Sequence, residues 1–277
     1  MLTTAREAAE VREATRGAGR RLALVPTMGF LHDGHASLMA AARAAADVVA
    51  VTIFVNPTQF GPSEDLSRYP RDFASDMARC AKAGVDVVFH PEATEVYPKG
   101  HQTFVEVVEL SRGLCGERRP GHFRGVATVV AQLFALFRPH VALFGEKDYQ
   151  QLQVVRRLST DLHLGVEVRA MPIVREADGL AMSSRNAYLS AAERPRARAL
   201  NLGLEAARAR FRRGVYQPEV LLAAVREALR AADVREDYIA LVDPDTLEPL
   251  AVAVPGARLL VAGFVGATRL IDNVELG

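Results

Sequence analysis

The sequence predicts an α/β protein: a doubly wound parallel sheet followed by a second, smaller α+β unit. Three observations carry this. Short apolar runs alternate with stretches of helical spacing from residue 2 to residue 171, the pattern of β-α-β units with right-handed crossovers. The run Asp47 to Asn56 is an almost unbroken β-branched stretch, as a strand covered on both faces requires. After Arg175 to Gly179 the register changes to helices followed by strands, which places a boundary near 177 and predicts domains of 1–176 and 177–277.

Residues 2–18 read as an amphipathic helix ending near Gly17 and Gly19. Arg21 to Val25 is a short buried strand, and Ala36 to Ala46 is dense in strong helix formers. Between them stand Pro26, Thr27, Met28, Gly29, Phe30, Leu31, His32, Asp33, Gly34 and His35. A strand, a turn with two glycines and a helix place free backbone N–H groups and the positive helix end at one point, which suits a phosphate. The spacing is neither G-x-G-x-x-G nor a Walker loop. His32 and His35 are three residues apart and share a helical face, and Gly34 leaves room for a close approach. No cysteine or carboxylate cluster lies near enough in sequence to complete a zinc site.

The strand 47–56 stops at Asn56-Pro57-Thr58-Gln59-Phe60, so polar side chains emerge at its carboxyl end. In open α/β sheets ligands sit on that edge. Phe73, Met77 and Cys80 fall at i, i+4 and i+7, which predicts a helix with Cys80 in its core rather than a nucleophile. Val85 to Phe89 is a strand, and His90 before Pro91 is a loop residue. The alternation from Phe104 to Val108 predicts a further strand. Cys115 lies in a glycine- and arginine-rich loop without a partner acid or base in sequence. Arg118 to Gly125 is basic and opens the apolar helix Val126 to Phe137, either as a second anion site or as a solvated loop.

His140 to Phe144 is a strand that delivers Gly145, Glu146, Lys147 and Asp148 to the same edge. Tyr149-Gln150-Gln151 begins the next helix, and Val166 to Met171 is the next strand. Beyond the boundary, Met182-Ser183-Ser184-Arg185-Asn186 is a polar turn with two hydroxyls and a guanidinium. Ala191 to Arg213 is helix-rich and expected to break at Gly203. Pro218 to Ala232 is a second helix with proline near its first turn. Strands follow around Tyr238 to Val242 and Arg258 to Ala262, with a turn at Asp243 to Thr246.

Composition excludes several classes of function. Of 277 residues, 49% are hydrophobic and 24% charged, and the net charge of +1 gives no global attraction to nucleic acid or anionic membrane. The seven arginines from Arg194 to Arg213 read as a solvated helix face, because they lie among alanines and leucines at helical spacing. No apolar run reaches the ~18 residues of a membrane span. The N-terminus carries charges where a signal peptide needs an apolar core, and two cysteines make no disulfide framework. The expectation is a cytoplasmic protein that binds neither nucleic acid nor membrane.

The informative stretches, 32–35, 56–60, 145–148 and 182–186, all fall at strand ends. Two imidazoles, Lys147 and Arg185 make a phosphate clamp of cations and donors. Glu146 and Asp148 supply hard oxygens of the kind Mg²⁺ takes beside a nucleotide. A nucleoside triphosphate is therefore expected. Without a Walker loop, attack at the α-phosphate with loss of pyrophosphate suits the clamp better than γ-phosphoryl transfer. Gln59 and Gln151 are neutral amides that suit a small co-substrate carrying hydroxyl and carboxylate groups.

Pro26 to His35, Phe54 to Phe60, Arg68 to Arg71, Gly121 to Gly125, Phe144 to Gln151 and Met182 to Asn186 run in family order. Together, over nearly the whole chain to Arg269-Leu-Ile-Asp-Asn273, they resemble the pantothenate synthetase (pantoate–β-alanine ligase) family. The paired histidines are similar to those of the wider nucleotidyltransferase and class I aminoacyl-tRNA synthetase-like superfamily. The resemblance implies a Rossmann-like first domain, a smaller lid domain, a homodimer and Mg²⁺ dependence. It implies attack of (R)-pantoate on the α-phosphate of ATP, then attack of β-alanine on the pantoyl adenylate. It also implies site residues. Met28 to His35, Gly145 to Asp148, Val174 and Met182 to Arg185 bind ATP, and His35, the family's proton donor, acts with His32, Lys147 and Arg185. Gln59 holds pantoate and β-alanine, Gln151 holds pantoate, Asn56 lies at the substrate, and Asp148 serves the metal. Two rivals remain in view. Another adenylyl-transferring enzyme that joins a nucleotide to a phosphate ester would need cations where Gln59 and Gln151 stand. A nucleotide sensor would not need both histidines, Lys147 and Arg185.

Overall fold

The computed structural model describes residues 1–62 and 64–277, which form two compact units. One is Met1–Glu146 with Gln150–Pro172, the other Lys147–Tyr149 with Ile173–Gly277. The division falls after Pro172, a little before the expected 176, and hands three residues from the middle of the first stretch to the second unit.

The first unit opens with α1 (Ala5–Gly17). The Thr4 hydroxyl accepts from the Glu7 N–H at 3.3 Å while the Glu7 carboxylate accepts from the Thr4 N–H at 3.0 Å, so the helix start satisfies two of its own donors. There follow β1 (Leu22–Thr27), α2 (Asp33–Ala45), β2 (Val48–Ile53), α3 (Phe73–Lys82) and β3 (Val87–Phe89). Two short turns, α4 (Ala93–Val96) and α5 (Cys115–Arg118), precede α6 (His122–Phe137), β4 (Val141–Gly145), α7 (Tyr149–Asp161) and β5 (Glu167–Met171). The five strands are all parallel in the order β3-β2-β1-β4-β5. Strand order reverses between β1 and β4, so their carboxyl ends form the switch point where open sheets bind ligands.

Pro26 shapes that point. The Leu22 carbonyl accepts from the β4 side and the Thr27 carbonyl from the β2 side; with a period of two, Leu24 and Pro26 face β4. Proline has no N–H to give. Pairing with β4 accordingly stops at Leu24, whereas pairing with β2 continues to Thr27. The two strands part just before the histidine-bearing turn.

Cys80 is buried beneath the sheet among Met39, Val51 and Val88. Burial, with Asp76 nearby, pushes its thiol up to about 11, as suits a core residue. The strand expected at Phe104 to Val108 does not form. The segment joins no sheet; the Val105 N–H donates instead to the Thr128 hydroxyl on α6 at 3.0 Å. The stretch Arg118 to Gly125 is also not a free loop, because α6 begins at His122.

The second unit has α8 (Glu193–Ala197), α9 (Ala199–Arg212) and α10 (Pro218–Ala231) over an antiparallel sheet of β6 (Arg235–Val242), β7 (Arg258–Val265) and β8 (Thr268–Glu275). The third strand, β8, carries Arg269 to Asn273. Gly203 does not break α9. A Cβ there would lie 3.0 Å from the Val225 Cα and 3.2 Å from the Ala228 Cβ on α10, so glycine sets how closely the two helices approach. The arginines of this region are engaged locally: Arg194 with Glu176, Arg196 with Asp233, Arg208 with Glu205 and Arg210 with Glu227.

Gly203 gives a graded test. Alanine gains up to about 1 kcal/mol of helix propensity against a tight contact, so Gly203→Ala should be nearly neutral. Gly203→Val must separate the helices and should cost about 1–3 kcal/mol, read as a lower urea midpoint.

Candidate active site

In the first unit the site starts with a strained turn. Gly29 has φ +86° and Phe30 has φ +51°; the second is uncommon for a residue with a side chain. What holds it is Asp76 on α3, only 2% exposed. Its carboxylate accepts from the Phe30 N–H at 2.9 Å and the Leu31 N–H at 2.7 Å. A Cβ on Gly29 would come 2.9 Å from that carboxylate. Leu31 turns its side chain into the core.

The turn leads into a reciprocal cap. His32 precedes α2, and its Nδ1 accepts from the Gly34 N–H at 3.2 Å; the His35 Nδ1 accepts from the His32 N–H at 3.2 Å. The two rings lie 4.1 Å apart. A neutral imidazole whose δ nitrogen accepts carries its hydrogen on Nε2, so both rings are ε donors. The Gly29 N–H goes to Thr27 Oγ1, and the His35 and Ala36 N–H groups go to the His32 carbonyl. Among the described residues, only Asp33 in the stretch 29–36 keeps an N–H without a partner. The backbone donors that the sequence offered to a phosphate are thus mostly taken, and the two imidazoles stand in their place.

Gln59 is buried and fixed from several sides. Its Oε1 accepts from Asn56 Nδ2 at 3.1 Å and its Nε2 donates to Met28 Sδ at 2.9 Å. Its backbone carbonyl accepts from His122 Nδ1 at 2.8 Å and from Arg119 at 3.3 Å. Arg119 donates to His122 Nε2 at 3.0 Å, so that ring carries its hydrogen on Nδ1. Asn56, 1% exposed, donates also to the Gly125 carbonyl and accepts from Thr58 and Tyr97. Its amide is fully occupied within the protein and holds the Gln59 side-chain oxygen. Gly125 makes this possible: a Cβ there would lie 2.4 Å from the Thr58 carbonyl oxygen and 2.6 Å from the Gln59 nitrogen.

Arg119, which sequence offered to an anion, is held by Glu64 at 2.6 Å. Burial alone would raise the Glu64 carboxyl, but the Arg119 guanidinium outweighs it and holds the group below its ordinary 4.5. Two neighbouring glutamines divide their work. Gln150 is buried and ties Leu110, Gly113 and Cys115 together through their backbones. Gln151 is half-exposed on the first turn of α7. Gly145 ends β4 and Glu146 opens the turn that follows, both half-buried.

The second unit gathers the other predicted residues. The Lys147 Nζ lies 3.5 Å from Asp148 Oδ2, and its backbone carbonyl accepts from Asn273 Nδ2 at 3.0 Å. Val174 and Met182 are joined by a Met182 N–H to Val174 carbonyl bond of 3.0 Å, closing a small hairpin. Ser183 caps the following turn by accepting from the Arg185 N–H, while Ser184 is buried. Asn186 donates to Glu176 and to the Ala181 carbonyl. Arg175 fastens the hairpin to Asp272 through two bonds of 2.6 and 3.0 Å. Asp76 and Asp272 are the residues that sequence reasoning passed over, Asp272 lying within the Arg269 to Asn273 stretch, whereas Arg119 and His122 were read only as part of a basic loop. No group of three or more histidines, cysteines or carboxylates placed to hold a metal occurs among the described residues.

Comparisons with known proteins agree along the whole chain. The family described as pantoate-beta-alanine ligase matches residues 1–275. A pantothenate synthetase of Myxococcus xanthus (strain DK1622) is 65% identical over 97% of this chain and 94% of its own length. The crystal structure of pantothenate synthetase from Thermus thermophilus superposes with a TM-score of 0.94 at 49% identity, covering 99% of this chain and 98% of that one. A pantoate-beta-alanine ligase from Francisella tularensis, complexed with beta-gamma ATP and beta-alanine, gives 0.82 at 30% identity over 99% and 97% of the two chains.

Two expectations follow from the geometry. Gly125→Ala should displace the 57–59 turn and with it Gln59. Turnover should fall by about 100-fold, since a misplacement of 1 Å costs that much, while circular dichroism stays unchanged. The second concerns acid. A carboxylate held below its unfolded pKa stabilises the fold above that value and loses the contribution as pH falls through the folded one. Wild type should therefore lose stability below pH 4.5, and Glu64→Gln should show a shallower acid limb in urea titrations.

Proposed function

The chain belongs to the pantoate–β-alanine ligase family and joins pantoate to β-alanine at the expense of ATP; we propose that it does so through a pantoyl adenylate. In the first step a pantoate carboxylate oxygen attacks the α-phosphorus of ATP, and the bond to the β-phosphate breaks to release pyrophosphate. In the second the β-alanine amine attacks the acyl carbon, an amide C–N bond forms, and AMP leaves with the adenylate oxygen.

The roles are residue by residue. His32 and His35 donate from Nε2 to phosphate oxygens. What supports this most is the reciprocal cap, which occupies both δ nitrogens and fixes both rings; donors held before the reaction stabilise developing charge without reorganising. Lys147 and Arg185 supply positive charge to the phosphates, and the backbone of Met28 to Leu31, Gly145, Glu146, Val174 and Met182 to Ser184 lines ATP. Gln59 and Gln151 take pantoate, Gln59 also β-alanine, with Asn56 setting the Gln59 amide. Arginine or lysine at 59 and 151 would suit a phosphate ester instead; neutral amides favour the hydroxy acid.

Mg²⁺ beside a nucleotide takes most ligands from phosphates and water and only one or two carboxylates. Asp148, exposed enough to share with Lys147 at 3.5 Å, fits such a single ligand, and the ion would neutralise phosphate charge. The working form is a homodimer. Supporting this is the segment 102–108, which joins no sheet among the described residues and leaves Phe104 and Val108 exposed, apolar side chains that a second copy can cover. No helix among the described residues is long and apolar enough to cross a membrane, and both cysteines are free; a cytoplasmic location fits the reading.

Labelled pyrophosphate should exchange into ATP with pantoate and Mg²⁺ alone. Lys147→Ala and His35→Ala should fold yet lose about 10²–10³ of that rate. Exchange that requires β-alanine, or release of ADP, would refute the adenylate.

A further inference from the structure

Both segments of the second unit that this reading assigns to ATP are fastened to one strand. On β8, Asn273 is 1% exposed. Its Nδ2 donates to the Lys147 carbonyl at 3.0 Å, and its Oδ1 accepts from Arg258 at 3.3 Å. Arg258 in turn lies 4.1 Å over the ring of Tyr149, whose hydroxyl donates to the Pro244 carbonyl at 3.0 Å. Lys147 to Tyr149 is thereby gripped at both ends. The residue before Asn273 grips the other segment. Asp272, 3% exposed, takes the Arg175 guanidinium on both oxygens, and Arg175 donates also to the Gly179 carbonyl at 3.2 Å, across the hairpin of Val174 to Met182.

Successive residues of a strand face opposite sides. Asp272 pairs in register with Val261, which together with Leu259, Leu270 and Val274 belongs to the helix-covered core. Asn273 pairs with Leu260 and shares its face with Arg258. The Lys147 segment and the hairpin are thus held on the two faces of one ladder strand, an element far stiffer than a loop. Stability does not explain the arrangement. Burial raises the Asp272 carboxyl above the usual carboxylate range despite Arg175, and a buried ion pair can be replaced by apolar residues with little loss or a gain. A hairpin wanted only for folding would be better served by a leucine.

We propose that Asp272 and Asn273 are positioning residues for the adenylation step, fixing the separation of Lys147 from the Val174–Arg185 segment within the second unit. This rests on the assignment of those segments to ATP.

The test is pyrophosphate exchange with ATP, pantoate and Mg²⁺. Asn273→Asp keeps the side-chain size and the acceptor for Arg258 but loses the donor to Lys147; Asp272→Asn keeps the shape and loses the charge. Each should lower kcat at least about tenfold, with KM for pantoate within about twofold; Asp272→Asn should also lower Tm, because it leaves the Arg175 guanidinium without its counter-charge. Where one of these melts too early to assay, Asn273→Ser or Arg175→Lys is read in the same way. In a Lys147→Ala background, adding Asn273→Asp should reduce the residual exchange by less than about twofold, because residues acting through one another are not additive. Full exchange in the single variants, or multiplied losses in the double, would overturn the positioning role alone. Near wild-type exchange by Lys147→Ala would overturn the ATP assignment and the proposal with it.

Discussion

The turn that carries the paired histidines depends on one buried carboxylate. Asp76 gathers the Phe30 and Leu31 N–H groups, and this acceptor braces the turn where Phe30 takes positive φ. The left-handed step at Gly29 and Phe30 is what turns the chain from the end of β1 toward α2 with His32 in the cap position. A charge-assisted pair of hydrogen bonds is among the stronger contacts available to a neutral backbone, and here it acts where the sheet has already opened at Pro26. Sheet topology chooses the place, and Asp76 fixes the angle.

Much of this was legible in the sequence. Short apolar runs placed the strands of the parallel sheet, most plainly the β-branched run of β2, which is buried throughout. The strand-end polar residues were legible for the same reason: they begin where apolar runs stop. Asp76 was not, since an acidic residue in an amphipathic helix reads as solvent-facing, and only the fold brings a turn 46 residues earlier against it. Gly203 misled in the opposite direction. Glycine signals a helix end in isolation, but between two packed helices the lack of a side chain is itself the contact. Phe104 to Val108 had the pattern of a strand and no partner strand, a distinction that local sequence does not encode.

Electrostatics follows a similar division. The arginines of the second unit form short-range pairs with acids nearby, as a near-neutral chain of high charge content tends to do. Arg119, which looked available to an anion, is instead neutralised by Glu64 and directs His122 onto the Gln59 carbonyl. The basic loop thus anchors the backbone of a neutral residue, Gln59, with charges that are already paired within the protein.

The assignment of Lys147 to Tyr149 to the second unit has a consequence for how the chain can be divided. The polypeptide leaves the first unit after Glu146, returns at Gln150 and leaves again after Pro172. The second unit is discontinuous in sequence, so no single cut releases it whole. A fragment from Ile173 onward would lack the Tyr149 ring beneath Arg258 and the carbonyl opposite Asn273, exposing a buried guanidinium and an amide without their partners. The two units are therefore not interchangeable modules. Transplanting the C-terminal part onto another sheet would require bringing along a three-residue graft from the heart of its neighbour, which ties the inheritance of one to that of the other.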